Sequence, residues 1–361
     1  MTIGAGILGG GFMAATHSRS VRQARGTLVA LASSRLERAQ TAADELGIAS
    51  AYADAAELLA DDAVDVVHVC TPNATHADLA GLALAAGRHV ICEKPLATSV
   101  ADARRLRDAA AEAGVVAAVP FVYRYHPMVR EARARIAAGE AGRLLSISGV
   151  YLQDWLLSEA DDDWRVSAEA GGPSRAFADI GSHLCDLVEF VTGQRIVRLV
   201  ATKRTFFTER AENTAITNED AVALVVETDG GAIGTLLVSQ VAPGRKNHLT
   251  IEVAGTQESV RFEQEQPETL WLGRRVGSGL LMREAEQLSD DAARLCVVPA
   301  GHPLGYLDAF AAFITDAYAA IAGDAPEGLP TFDDGLRAAV ITDAVLRSAE
   351  SGGWVEVPPV D

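Results

Sequence analysis

The chain has 361 residues, 49% hydrophobic and 22% charged, with 31 Lys and Arg against 49 Asp and Glu and a formal net charge of -18. That length suits about two domains, and an acidic chain without a basic stretch lacks the clustered Lys and Arg that hold phosphate backbones and anionic lipid, which excludes nucleic-acid and membrane partners. No apolar run approaches the ~20 residues of a membrane-spanning helix and no basic n-region opens the sequence, so a cytoplasmic protein is expected.

From the N-terminus, β-branched runs alternate with Ala-rich helical runs, the pattern of βαβ units that feed a parallel sheet. Strands are predicted over residues 3–8, 27–32, 64–70, 89–93 and 115–119, with helices over 13–23, 36–46, 76–86 and 100–113, several closed by a glycine (Gly26, Gly47, Gly87, Gly114). The run Val64-Asp65-Val66-Val67-His68-Val69-Cys70 is almost continuously apolar, as a strand covered on both faces should be. From about residue 143 strands follow one another, over 144–152, 196–206, 220–227, 232–241, 248–254, 259–264 and 269–272, and helices are predicted over 128–138, 181–192, 306–322 and 332–351. The expected class is α/β: a Rossmann doubly wound parallel sheet over residues 1–120, then a substrate-binding and oligomerising α+β domain over 121–361. That second domain carries a large, mostly antiparallel open sheet, and its last helix packs back on the first domain.

Along 232–241 both alternating faces are apolar, Ile233, Leu237 and Val241 on one and Leu236 and Val238 on the other. A sheet with one solvated face alternates apolar with polar. A second copy is therefore expected over that face, in a homodimer or homotetramer built through this sheet. Cys70, Cys92, Cys185 and Cys296 include no C-x-x-C pair, so neither a disulfide framework nor a metal cage is expected, and they read as small core residues.

Two glycine patterns overlap at the start: Gly4-Ala5-Gly6-Ile7-Leu8-Gly9, a complete G-x-G-x-x-G, and Gly9-Gly10-Gly11-Phe12-Met13-Ala14, which ends in Ala. A loop that cradles phosphate must follow a strand and open a helix, so that backbone N–H groups point at the pyrophosphate. Only the second register leaves a full strand before it and a helix after it, and Ala is tolerated where only close packing is needed. Dinucleotide binding is the reading, with Gly9, Gly11, Phe12 and Met13 at the phosphates. The second strand ends Ala32-Ser33-Ser34-Arg35, with Arg38 one turn on. A neutral strand end with nearby Arg favours NADP over NAD, since an acid there would bond the ribose 2′-OH; the plainer reading of Arg35 and Arg38 is a solvated helix face.

Only three lysines occur, Lys94, Lys203 and Lys246. Lys94 lies in Glu93-Lys94-Pro95 at the carboxyl end of a predicted strand, the edge where open α/β sheets bind ligands. A functional ammonium is preferred there over a snorkelling surface Lys. Thr71-Pro72-Asn73 ends the preceding strand, with polar groups that can reach a nicotinamide ribose or simply turn the chain.

In the second domain, Asp179-Ile180-Gly181-Ser182-His183-Leu184-Cys185-Asp186 leads into an amphipathic helix. If it is helical throughout, Asp179, His183 and Asp186 share one face. An Asp beside a His can fix the ring's tautomer and raise its basicity, as a general base needs; a structural cap with a satisfied His is the alternative, and a metal site lacks a further ligand. No G-x-x-x-x-G-K-[ST] or G-x-S-x-G is present.

Gly9-x-Gly11-Phe12-Met13, Thr71-Pro72-Asn73-x-x-His76, Glu93-Lys94-Pro95, Tyr123-Arg124-Tyr125-x-Pro127, Trp164-Arg165 and Asp179-x-Gly181-x-His183 together resemble the Gfo/Idh/MocA family of NAD(P)-dependent oxidoreductases over essentially the whole chain. The resemblance implies a catalytic group of Lys94, Asp179 and His183, and cofactor contacts at Asn73, His76, Glu93, Trp164 and Arg165. Residues 119–124, 151–155 and 264–271 are similar to a sugar-oxidising branch of that family. Ala14 replaces the usual third Gly, and the Asn many members carry just before the Tyr-Arg pair is missing, which puts one substrate hydroxyl contact in doubt.

The expected reaction is reversible hydride transfer between the nicotinamide and a secondary alcohol of a sugar, glycoside or cyclitol. His183 serves as base, Asp179 orients it or binds a hydroxyl, and Lys94 stabilises the alkoxide. Tyr123, Arg124, Trp155 and His302 are candidates for the substrate wall, as is Trp164, each with ordinary packing as the alternative. The rivals are a reductase of an imine or non-sugar ketone and a nucleotide-binding sensor without turnover.

Overall fold

The computed structural model describes residues 2–360 and divides the chain into two units: the chain up to Val122 together with Tyr306–Ala339, and Tyr123–Gly305 together with the chain from Val340 onward. In the first unit, β1 (Gly4–Leu8), β2 (Thr27–Ala32), β3 (Ser50–Tyr52), β4 (Val66–Val69), β5 (His89–Cys92) and β6 (Ala117–Ala118) form one parallel sheet in the order β3-β2-β1-β4-β5-β6. Every residue of β1 and β4 is buried, as central strands with helices on both faces require. The order reverses between β1 and β4, so the loops after these two strands flank the crevice where such sheets hold ligands.

The helices between the strands start and stop on local chemistry. Asp54 and Ser99 accept hydrogen bonds from the backbone N–H of Glu57 and Asp102, each at the first turn of a helix. Gly47 and Gly114 end helices Leu36–Leu46 and Val100–Ala113 in the left-handed conformation. Ala14, Ala39, Ala42 and Ala43 pack with Ile7, Leu31 and Ile48, and their small size lets helices Phe12–Gln23 and Leu36–Leu46 lie close to the sheet. Helix Tyr306–Ile321 returns to this unit and packs on Phe12–Gln23.

The second unit holds β7 (Leu144–Leu152), β8 (Ile196–Arg204), β9 (Ala221–Thr228), β10 (Ile233–Ser239), β11 (His248–Gly255), β12 (Ser259–Glu263), β13 (Thr269–Gly273), β14 (Gly279–Met282) and β15 (Val355–Glu356). They form one sheet in the order β14-β13-β12-β11-β7-β10-β9-β8-β15, antiparallel except for the β7–β10 pair. Helices Pro127–Ala137 and Ser182–Thr192 cover one face. At Gly149 in β7 a Cβ would stand 2.8 Å from Leu236 and 3.0 Å from Leu184, so a side chain there would force these leucines to shift under helix Ser182–Thr192. On β10 Gly234, Leu236 and Val238 are buried under the helices, while Ile233 and Leu237 on the other face remain 57% and 41% exposed.

The strands β3, β14 and β15 are additions to the sequence reading. No disulfide forms and no helix is long and apolar enough to cross a membrane among the described residues.

Candidate active site

The first unit holds a cradle. Gly4 and Gly6 lie inside β1, where a Cβ would stand 2.0 Å from the Ala63 carbonyl oxygen or 2.7 Å from Leu58, so the first glycine pattern serves packing. Gly9 turns the chain at φ +104°, with a Cβ position only 2.7 Å from the Cys70 carbonyl oxygen. Gly11 opens helix Phe12–Gln23 with no side-chain cap, and nothing lies within 4 Å of where its Cβ would be. The first-turn N–H groups and the positive helix end therefore face open space with no acid in the first turn, an arrangement that fits a pyrophosphate. Phe12 is exposed and Met13 half-buried, while Ala14 is buried in the position expected for close packing. Beyond β2, Ser33 is half-buried and Ser34, Arg35 and Arg38 are exposed.

Two other strand ends meet through His76. It is buried, with Nε2 2.8 Å from the Thr71 carbonyl oxygen and Nδ1 2.8 Å from that of Pro95, so it braces the loop after β4 against the loop after β5. Burial pulls its pKa down, against the two carbonyl oxygens and Glu93. Asn73 is buried in the same turn, and Thr75 Oγ1 donates to Thr71 Oγ1 at 2.7 Å.

Glu93 is a buried carboxylate. Burial pushes its pKa up, but the hydrogen bond and charge of His17, with Lys94 and His76, more than offset that and leave it below the usual carboxylate range. His17 Nε2 lies 3.0 Å from Glu93 Oε1, His17 Nδ1 lies 2.8 Å from His68 Nδ1, and His68 Nε2 lies 3.0 Å from the Tyr318 hydroxyl. An ionised Glu93 only accepts, so His17 Nε2 carries the proton. Burial pulls the pKa of His68 well down, and the charge of His17 beside it acts in the same direction. The chain of bonds ends on Glu93. Its second oxygen accepts from the backbone N–H of Lys94 at 3.2 Å, and Lys94, half-buried, follows β5 on a cis peptide to Pro95.

The second unit holds a turn. Residues Phe177–Gly181 form a π-helical turn that runs into helix Ser182–Thr192. Asp179 lies on this turn, ahead of the regular helix that carries His183 and Asp186 one turn apart, and Asp186 is held in a bidentate pair with Arg124, whose guanidinium also lies 4.9 Å from the Phe190 ring. Gly181 is needed at this turn, because a Cβ there would stand 2.4 Å from the Phe177 ring. Asp179 Oδ2 accepts from Gln240 Nε2 at 2.8 Å, and Asp179 Oδ1 lies 3.8 Å from Arg165 Nε.

His183 is buried with its ring 5.0 Å from that of Tyr123, edge to face, and 6.5 Å from that of Tyr151. The two tyrosine hydroxyls are hydrogen-bonded to each other; Tyr151 donates to Asn247 Oδ1 at 2.7 Å, and Asn247 Nδ2 donates to Tyr123 at 3.0 Å. Gln153 Nε2 adds a bond to Asn247 Oδ1 at 2.9 Å, and Trp155 Nε1 donates to Gln153 Oε1 at 2.8 Å. Trp164 stacks under Arg165, whose guanidinium lies 4.4 Å from the ring. His302 is exposed.

Within this unit the structure thus brings together Asp179 with Arg165, and His183 with Tyr123, whereas Arg124 is engaged by Asp186. Tyr151, Gln153, Asn247 and Gln240 were not singled out from the sequence. Period two along β7 places Tyr151 on the face of Ile147 and Gly149, a signal that was available; Asn247 and Gln240 reach the site only through strand register. Among the described residues three metal-ligating side chains converge at His248, Glu263 and Glu265, not around Asp179 and His183.

Residues 3–121 match the model of an oxidoreductase family with an NAD-binding Rossmann fold, and residues 129–261 match the GFO/IDH/MocA C-terminal domain. The chain belongs to the Gfo/Idh/MocA oxidoreductase family. It is similar to levoglucosan dehydrogenase of Pseudarthrobacter phenanthrenivorans, 29% identical over 98% of both chains. It is similar also to 1,5-anhydro-D-fructose reductase of Ensifer adhaerens, 31% identical over 94% of this chain and 93% of the other. The solved structure of levoglucosan dehydrogenase with NADH and levoglucosan superposes with a TM-score of 0.93 at 29% identity, covering 100% of each chain. This Gfo/Idh/MocA member is accordingly an NAD(P)-dependent oxidoreductase, and its glycine loop after β1 is that of an NAD-binding domain.

Proposed function

We propose that the protein is a dehydrogenase of a neutral sugar, glycoside or cyclitol, acting on a secondary alcohol. The observation that carries this reading is the ring of Tyr123, Tyr151 and Asn247 against His183: hydroxyl and amide groups that both donate and accept suit a polyhydroxylated substrate. The relatives named for levoglucosan and 1,5-anhydro-D-fructose support it, and a net charge of -18 disfavours a strongly anionic substrate.

When bound, the nicotinamide takes up or gives the hydride at C4. His183 accepts the hydroxyl proton, Asp179 steadies that base or a neighbouring hydroxyl, and the Lys94 ammonium stabilises the forming alkoxide, polarising the carbonyl in the reverse direction. Gly9, Gly11, Phe12 and Met13 hold the pyrophosphate through backbone N–H groups, and Ser33, Ser34, Arg35 and Arg38 receive the adenosine ribose. Thr71, Asn73, Glu93, Trp164 and Arg165 border the nicotinamide, with His76 bracing the first three. Trp155 joins Tyr123 in the substrate wall; the bidentate pairing of Arg124 with Asp186 favours a framework role for that residue.

NADP is the preferred form in this reading, because Arg35 and Arg38 are exposed beyond β2 and the competing acid is Glu37, inside the helix turn. The test is a panel of aldoses, anhydrosugars, glycosides and cyclitols with NAD and NADP, followed at the reduced-nicotinamide absorbance. Turnover of at least one polyol with a higher kcat/KM for NADP is expected. A strong preference for NAD overturns the cofactor assignment, and turnover of imines or simple ketones alone overturns the substrate class.

A second copy covers the open sheet face in this reading, since Ile233 and Leu237 stand exposed beside Val225. Light scattering after size exclusion should give a dimer or tetramer, and Ile233→Glu with Leu237→Glu should dissociate it. A monomeric wild type would contradict the assignment.

A further inference from the structure

Asp179 has a donor that no motif announces. Gln240 follows β10 and is fully buried. Its backbone N–H donates to the Asp220 carbonyl at 3.0 Å and its own carbonyl accepts from Leu156 N–H at 3.3 Å, so the main chain is held on both sides. From that fixed point Nε2 donates to Asp179 Oδ2 at 2.8 Å, while Oε1 is buried with no hydrogen-bond partner among the described residues. A half-satisfied buried amide weakens a fold, and an apolar side chain of similar length would avoid the penalty. Turning the amide over would set Oε1 against a carboxylate oxygen, so an ionised Asp179 dictates its orientation.

The backbone of the turn is held by other groups. Glu219 Oε1 accepts from Ser174 Oγ at 2.8 Å and from the N–H groups of Arg175 and Phe177 at 3.0 Å, and Asn218 Nδ2 donates to the Arg165 carbonyl at 2.9 Å. Glu219 thus fixes where the turn runs, whereas Gln240 reaches the carboxylate itself. We infer that Gln240 is a positioning residue for the reaction, which holds the Asp179 carboxylate in one orientation through its Nε2–H. This rests on the reading of Asp179 as a member of the catalytic group.

The test is a double-mutant cycle on the full chain with Gln240→Met and Asp179→Asn, read as kcat, as the dissociation constant of NADPH by fluorescence, and as melting temperature. Gln240→Met keeps the length of the side chain and removes the donor. Its kcat should fall about 10- to 100-fold with the NADPH dissociation constant within about twofold of wild type. In the Asp179→Asn background the same change should cost nothing further, a non-additivity that general loosening would not produce. Gln240→Glu, which sets a carboxylate against a carboxylate, replaces Gln240→Met in the cycle if the latter does not fold and carries the same expectation. Wild-type kcat in the Gln240 variant, or losses that multiply in the double variant, overturn the inference while a slow Asp179→Asn leaves the reading of Asp179 standing. Normal turnover of Asp179→Asn overturns both.

Discussion

Lys94→Ala is expected to lower kcat by about 100-fold or more while leaving the dissociation constant of the reduced cofactor nearly unchanged. A forming alkoxide gains most from a cation already in place, since no reorganisation is then needed as charge develops. The residues beneath Lys94 supply that fixity: its N–H rests on Glu93, Glu93 on His17, His17 on His68 and His68 on Tyr318, every partner buried. Lys94→Arg should recover only part of the rate, because a planar fork cannot place its charge where a point ammonium sits. Stopped-flow measurement of the hydride step separates these effects from product release, and a near-normal rate for Lys94→Ala removes the residue from the chemistry. Acid should act on the same support. Glu93 has a folded pKa below its unfolded one, so its contribution to stability is complete above the unfolded value and is lost as pH falls through the folded value.

Both sheets and nearly all long helices were legible because each depends on a local period. The helices 36–46 and 332–351 were placed to the residue, and the second glycine register followed from needing a strand before the loop and a helix after it. What escaped depends on partners far away in sequence. The strand β3 has three residues, too few for alternation to register; β15 has two and exists by pairing with β8, about 150 residues earlier along the chain. The π-helical turn at Asp179 could not be read from spacing, since one extra residue per turn leaves no compositional mark. Residue types pointed to Lys94, Asp179 and His183; the groups that hold them, His17, His68 and Gln240, are joined only by the fold.

Asp220→Ala should be the most destabilising single change in the second unit, at about 3–5 kcal/mol. Asp220 is fully buried and its Oδ1 accepts from Arg175 and from Arg210 NH2, the latter at 3.1 Å, while Oδ2 accepts from the N–H groups of Phe206 and Phe207. Burial pulls the pKa of Arg175 down and Asp220 is the chief group that opposes it, so the carboxylate is what allows a guanidinium to sit there charged. Three stretches meet on this one side chain: the approach to the Asp179 turn through Arg175, the chain leaving β8 through Phe206 and Phe207, and the 156–161 loop, whose carbonyls at Leu156, Ser158 and Asp161 accept from Arg210. Removing the carboxylate alone leaves Glu219 as the remaining buried acid for two cations, whereas removing all three charges leaves no buried cation and only the Glu219 carboxylate, which keeps its bonds from Ser174 and from the N–H groups of Arg175 and Phe177. Arg175→Met, Arg210→Met and Asp220→Leu combined should therefore cost less stability than Asp220→Ala. Urea denaturation of the wild type, the single variant and the triple variant decides it: a triple variant less stable than the single one would mean that the ion cluster stabilises the unit by its own net energy, beyond the penalty of breaking it.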